Sequence, residues 1–325
     1  MANAFIGRRE EVGIALEGAR GAGATPTYWI PRGALSFQER VDKVISEMGV
    51  GSIAQHLTSV KSDEYSEGTL EAEIRSDFFG VLLQALFGTA SSGNQEGDAY
   101  KHTFTLQDDN LHDSLAIGKI DPIGQLMFKL VMLKNLTINI NPGEIVNFSA
   151  DFESKYPDGW SGMSSTYPTV HRFRGRDLSF KVAANSAALG AASAISLKSL
   201  TLNFEKDLTR DNVCGTMGPE NIFNTVFRIT MEATLNYTDR TYRNYLLNNQ
   251  QKAVRVELVN SDVTIGTVTN PTFRIDFPKV GFETWERDAS LDDITSETLN
   301  LEAFYDVNTS KLFSDCYLYN EVVSY

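Results

Sequence analysis

Segment after segment of this chain alternates apolar and polar side chains with a period of two. In TLEAEIR (69–75), Leu70, Ala72 and Ile74 fall on one face and Thr69, Glu71, Glu73 and Arg75 on the other. In FRITMEATLNY (227–237), Phe227, Ile229, Met231, Ala233, Leu235 and Tyr237 alternate with Arg228, Thr230, Glu232, Thr234 and Asn236. Successive strand residues point to opposite faces of a sheet, so the pattern predicts strands buried on one side and solvated on the other. Similar runs occupy 136–140, 178–182, 200–204, 254–258 and 273–277. The expected fold is mainly β with some helix (α+β).

Two segments break the alternation. Ser76 and Asp77 are candidate N-caps for DFFGVLLQALF, which Gly88 stops. Phe79, Leu82, Leu83 and Leu86 share the spacing of one buried helix face. A weaker helix is expected from Asp239, with Tyr242, Tyr245 and Leu246 on one side.

The elements recur in order. In the first half, LSFQERVDK (35–43) and TLEAEIR precede the helix; YKHTFTL (100–106), the run 127–140 and EIVNFSADF (144–152) follow it. In the second half, LTLNFEKDL (200–208) and FRITMEATLNY precede a helix; AVRVELV (253–259), TFRIDFPKVGFE (272–283) and TLNLEAFYD (298–306) follow. This order predicts an internal duplication, with the drifting offset absorbed by loops. Residues 1–26, with the Gly- and Ala-rich GARGAGATP, are expected as an arm. Residues 27–155 form a first domain, 156–169 a linker rich in Gly, Pro and Ser, and 170–325 a second domain. LKNLTINI (133–140) and LKSLTLNF (197–204) also match, at an offset that fits no element order; they read as two strands of like environment.

Forty-two acidic residues against 29 basic ones give a formal net charge of −13. Duplex DNA carries one charge per ~1.7 Å and draws its protein partners through Lys and Arg, so this is not the composition of a protein that holds DNA. Excess Asp and Glu serve solubility, or line a surface along which nucleic acid slides without sticking. No apolar run is long enough to span a membrane as a helix, and the charged N-terminus reads as no secretory signal. Cys214 and Cys316 lie far apart and form no metal-type pair.

Chemistry-bearing constellations are not evident. His56, His102, His112 and His171 stand at no metal-ligand spacing, and no nucleophile elbow, Walker loop or dinucleotide fingerprint is present. The acidic clusters at 107–110 and 290–297 read as solvated loops. No catalytic residue, cofactor or metal is expected. The aromatic residues lie mostly at core-facing positions. Trp29, Trp160 and Trp285 sit near segment ends, where they are candidates for subunit contacts.

From residue 25 onward the order of features resembles the major tail tube proteins of long-tailed bacteriophages: TPTYWIPRGALSF, then EGTLEAEIRSDFFGVLLQALFG, GDAYKHTFTL and LKNLTINI-NPGEIVNFSADFES, with PTFRIDFPKV late in a second copy. The resemblance implies two tail-tube-like β-sandwich or barrel modules, each with a flanking helix. It implies subunits that join sheets edge to edge into rings, rings that stack into a tube in the virion tail, other tail proteins as partners, and a lumen that passes DNA without binding it. Two modules per chain imply trimeric rings of pseudo-six-fold symmetry. Candidate lumen-facing residues are Glu71, Glu73 and Glu232. The competing readings are a two-domain β-sandwich adhesin or carbohydrate-binding module, and another tail component such as a terminator or baseplate protein.

Overall fold

The computed structural model describes residues 4–53, 55–168 and 170–325; the first three residues of the expected arm and the last of the expected linker lie outside them. Along the chain run β1 (Glu11–Leu16), β2 (Tyr28–Ile30), β3 (Arg32–Ser46), β4 (Thr58–Glu73), α1 (Phe79–Phe87), β5 (Gly88–Glu96), β6 (Ala99–Leu106), β7 (Leu115–Ile120), β8 (Gln125–Ile140), β9 (Asn147–Lys155) and β10 (Asp158–Trp160). Then follow β11 (Leu178–Ala183), β12 (Leu197–Asp211), β13 (Asn221–Asn236), α2 (Thr241–Leu247), β14 (Lys252–Val259), β15 (Thr272–Asp288), β16 (Ser296–Ala303) and β17 (Asp315–Asn320). The protein is mainly β, all strand pairs are antiparallel, and they link into one large sheet system.

Eight strands form its spine in the order β3-β4-β9-β8-β12-β13-β16-β15. The first four come from the first half of the chain and the last four from the second, in matching order. Both groups carry a bulge at the same two places. Gly33 is the extra residue in β3, between Arg32 and Ala34, and Lys198 in β12, between Leu197 and Ser199. Lys134 is the extra residue in β8, between Leu133 and Asn135, and Glu283 in β15, between Phe282 and Thr284.

The N-terminal ends of β8 and β15 leave the spine and enter second layers. There β8 pairs with β7 and β10, and β15 with β14 and β17; β1 flanks β7 as β11 flanks β14. The strand standing where β14 stands is therefore β7. The expected match between 100–106 and 253–259 does not hold: β6 forms a hairpin with β5 between α1 and β7, and pairs on its other side with β17. Alternation is common to every strand and could not separate an inserted hairpin from the strand behind it. Residues 1–26 include β1, whose Val12 and Ile14 are completely buried, and residues 156–169 include β10 and the buried Met163.

One buried cluster lies between spine and second layers and runs through both halves. Its centre is α1, where every residue but Gln84 is buried. Phe79 meets Phe273 edge-on at 5.1 Å and Phe87 meets Phe204 at 5.7 Å, tying the helix to strands of the second half. No side chain caps its N-terminus. Asp77 instead accepts a hydrogen bond from Arg75 Nη2 at 3.0 Å, and burial raises its pKa against the pull of that arginine. At the other end Gly88 takes φ +93°, a left-handed conformation that stops the helix; a Cβ there would lie 2.8 Å from Gln107 Cβ. The second helix is shorter. Asp239 Oδ1 accepts from the Thr241 amide at 2.7 Å at its start, and Tyr242 and Tyr245 pack on Phe282.

Lys206 is a cation buried in the core, with no carboxylate in contact among the described residues. Its Nζ donates to the carbonyls of Ala85 and Leu86 at 2.9 and 3.3 Å, satisfying the last turn of α1. Burial, helped by the Arg20 charge, lowers its pKa from 10.5 to about 7. Below about 7 the folded chain bears the full penalty of a buried charge. Between about 7 and 10.5 the folded state has shed a proton that the unfolded state keeps, so stability rises with pH in this window. Urea midpoints of the wild type should therefore gain on those of Lys206→Met as pH rises from 7 to 10. A difference that stays constant excludes a buried, titrating lysine.

Candidate functional site: one polar sheet face and two open edges

The two faces of the spine differ sharply. One carries Leu70, Phe148, Leu136, Ile138, Leu202, Phe204, Met231 and Leu301, all buried in the core. The other carries the alternate residues, and these are polar on every strand. They are linked crosswise: Thr69 Oγ1 donates to Asp151 at 2.6 Å, Thr137 to Asn203 at 2.9 Å, and Asn300 Nδ2 to Thr284 at 2.6 Å. The face is concave, with a groove of ≈ 440 Å³ lined by Gln38, Arg40, Thr69, Asp151 and Glu205 from neighbouring strands. Carboxylates outnumber cations along it. Glu67, Glu71, Asp151, Glu153, Glu205, Glu232, Glu286, Asp288 and Glu302 are set against Arg40, Lys134, Arg210 and Arg228. Three of these cations are engaged with carboxylates, Arg40 with Glu67 at 2.7 Å, Arg210 with Glu153 and Arg228 with Glu302 at 2.9 Å; the Arg228 hydrogen bonds raise its pKa. Burial pushes the Glu153 carboxyl up, with Arg210 at 2.9 Å holding it back.

Glu71 and Glu232 are exposed on this face; Glu73, at its margin, pairs with Arg172 at 2.7 Å. The tryptophans are dispersed. Trp29 is 3% exposed and packs with Ala116, Met127 and Met163 in a small core of its own, so it presents little surface to another molecule. Trp160 is half-buried beside the same cluster, with Lys129 over its ring. Trp285 is half-buried on the end strand of the spine and donates to Glu297 at 2.7 Å. Among the described residues no group of three His, Cys, Asp or Glu side chains could hold a metal, and no helix is long and apolar enough to cross a membrane. His102 is a buried strand residue held by Ser92 at 2.7 Å and Asn320 at 2.8 Å.

The spine also ends openly. Among the described residues β3 pairs only with β4, and residues 281–288 of β15 only with β16. Leu35 and Phe37 are half-exposed on one rim, while Glu286, Arg287 and Asp288 are exposed on the other. Sequence reading identified the polar face but neither rim, because a strand at an edge alternates like one at the centre. Among the described residues the β3–β4 hairpin has no further paired strand beyond residue 40 until Tyr65 meets β9, so it projects from the spine; its base is touched where Asp63 accepts from Asn212 at 2.9 Å and pairs with Arg210. Its end exposes Val44, Ile45, Met48, Val50, Ile53 and Leu57.

A spine that ends, among the described residues, in two unpaired rims and carries an acidic concave face offers free strand edges to a neighbour. The chain belongs to the phage tail tube protein family, whose model matches residues 7–302. No curated protein matches it. It is accordingly a non-enzymatic structural protein of the virion tail.

The open rims have a measurable signature. Amide hydrogen exchange of the unassembled chain should leave roughly half the amides of 34–40 and 284–288 fast, since alternate N–H groups point outward. Those of 136–140 and 200–204, paired on both sides, should be slow. Uniform protection of all four segments contradicts open rims.

Proposed function

We propose that the chain is an internal duplication whose copies act as two tail-tube modules, and that three chains close into a pseudo-six-fold ring. Support comes from the repeated strand order and the two pairs of equivalent bulges. The modules correspond broadly to residues 27–155 and 170–325, widened by the strand equivalences to include β1 and β10 in the first. In such a ring the spine of each chain continues into the next, making an inner barrel that uses up the unpaired strand edges. The single observation that carries this reading is the open spine, with its buried face on one side and its concave acidic face on the other.

Rings would stack through the projecting 40–64 hairpin, whose apolar tip is exposed among the described residues. It reaches roughly 20 Å past the spine at ~3.3 Å per strand residue. Glu71, Glu73 and Glu232 would line the lumen among other carboxylates, repelling DNA during its passage to the host. Trp285, on the rim of β15, and Trp160 would serve subunit contacts; other tail proteins would bind the ends of the tube.

Negative-stain microscopy of purified protein should show rings or tubes, and class averages should contain three chains per ring; six chains refute the trimer, and a persistent monomer refutes assembly by this chain alone. The double substitution Glu71→Lys, Glu232→Lys, both at exposed positions, should leave tubes intact. Tubes with the reversed charges should retain duplex DNA at low salt and release it as salt rises. Equal DNA retention by wild-type tubes refutes the repelling lumen.

A further inference from the structure

We propose that the ring closes by antiparallel pairing of β3 of one chain with β15 of the next in one defined register: Ser36 opposite Asp288, Gln38 opposite Glu286 and Arg40 opposite Thr284. The proposal rests on the ring reading above and supplies the contact that makes it. Its basis is a junction the chain already forms with itself. Where the two halves of the spine meet, β8 pairs with β12, with Asn139 opposite Thr201, Thr137 opposite Asn203 and Asn135 opposite Glu205. Here β8 is the last strand of its group of four and β12 the first of the next. The open rims are the same two strands one repeat apart: β15 ends the second group and β3 begins the first.

The bulges carry the register across. Leu35 stands two places beyond the bulged Gly33, as Leu200 stands two places beyond the bulged Lys198. Both face the strand after them at equivalent points, Leu35 opposite Leu70 and Leu200 opposite Ala233. Likewise Trp285 stands two places beyond Glu283, as Leu136 stands two beyond Lys134. Trp285 faces Leu299 and Leu136 faces Ala150, again equivalent. Since Leu136 lies opposite Phe204 and Ile138 opposite Leu202, Trp285 comes opposite Glu39 and Arg287 opposite Phe37.

Side-chain chemistry agrees with this placement. Leu35 and Phe37, half-exposed in the single chain, gain a neighbouring strand over the core, where Phe37 already packs at a tilt against Phe128 at 4.5 Å. Arg40 on the polar face comes diagonal to Glu286, and Glu39 on the core face diagonal to Arg287, within reach of long side chains. A slip of one residue would set Phe37 against the polar face and is excluded by alternation. A slip of two would keep the faces and set Arg40 directly against Glu286. Only the equivalence of the bulges chooses between these, so they are the pair to test.

In a Cys214→Ser background, which removes the exposed native thiol and leaves the buried Cys316, two double variants separate them: Gln38→Cys with Glu286→Cys, and Gln38→Cys with Asp288→Cys. All three substituted positions are exposed. Assembled protein is oxidised with diamide and run on a denaturing gel without reductant. The first variant should give covalent oligomers with at least tenfold the yield of the second. The reverse yield overturns the register while leaving the ring in place. Absence of cross-links in both, with rings visible by microscopy, overturns the β3–β15 contact itself. A Cys214→Ser parent that stays monomeric overturns the ring reading and this contact with it.

Discussion

Everything in this molecule turns on the pairing of β8 with β12. Six residue pairs join the halves of the chain there. One face of the seam buries Leu136, Ile138, Ile140, Leu200, Leu202 and Phe204; the other carries a row of Asn and Thr with the single carboxylate Glu205 at its end. Each backbone hydrogen bond contributes a net ~1 kcal/mol, and each buried apolar side chain about 1.5–3 kcal/mol. Burial therefore dominates the energy of the seam, and alternation fixes its register, because a slip of one residue would turn the apolar row outward. Once the seam is set, α1 lies between layers drawn from both halves. Its Phe79 and Phe87 contacts with Phe273 and Phe204 make one core out of the two halves of the chain.

The strands were legible because a half-buried sheet writes its two faces into the sequence. The polar face was legible for the same reason: Glu71 and Glu232 fall on it through phase alone. The seam was half-visible. The likeness of LKNLTINI and LKSLTLNF, which fits no repeat, belongs to two strands that lie side by side and share both faces. Lys206 continues the core-facing phase of Leu200, Leu202 and Phe204, a cation where an apolar residue was due. That signal is present in the sequence, but only the fold brings up the helix end that it satisfies. Strand neighbours were not legible, and so β6 was matched in place of β7. Nor was the burial of Trp29, which depends on Met127 and Met163 arriving from distant segments. Asp77 had the sequence context of a cap; the burial of Arg75 directly beside it recruited the carboxylate to an ion pair.

The internal seam and the open rims are equivalent in position and differ in chemistry. Where the seam sets Ile138 against Leu202 and Leu136 against Phe204, the rims carry Arg287 and Phe37, Trp285 and Glu39. Part of the apolar content has been exchanged for charge. An exposed, apolar strand edge invites pairing with any other strand, and charges on the rim are the usual defence. The seam needs no such defence, since it forms within one chain and is never exposed in the folded state. It also escapes the loss of translational and rotational freedom that any contact between chains must overcome. Duplication in the proposed ring thus makes half the junctions intramolecular and apolar. The other half can remain weaker and charged, soluble before assembly and selective for the matching rim.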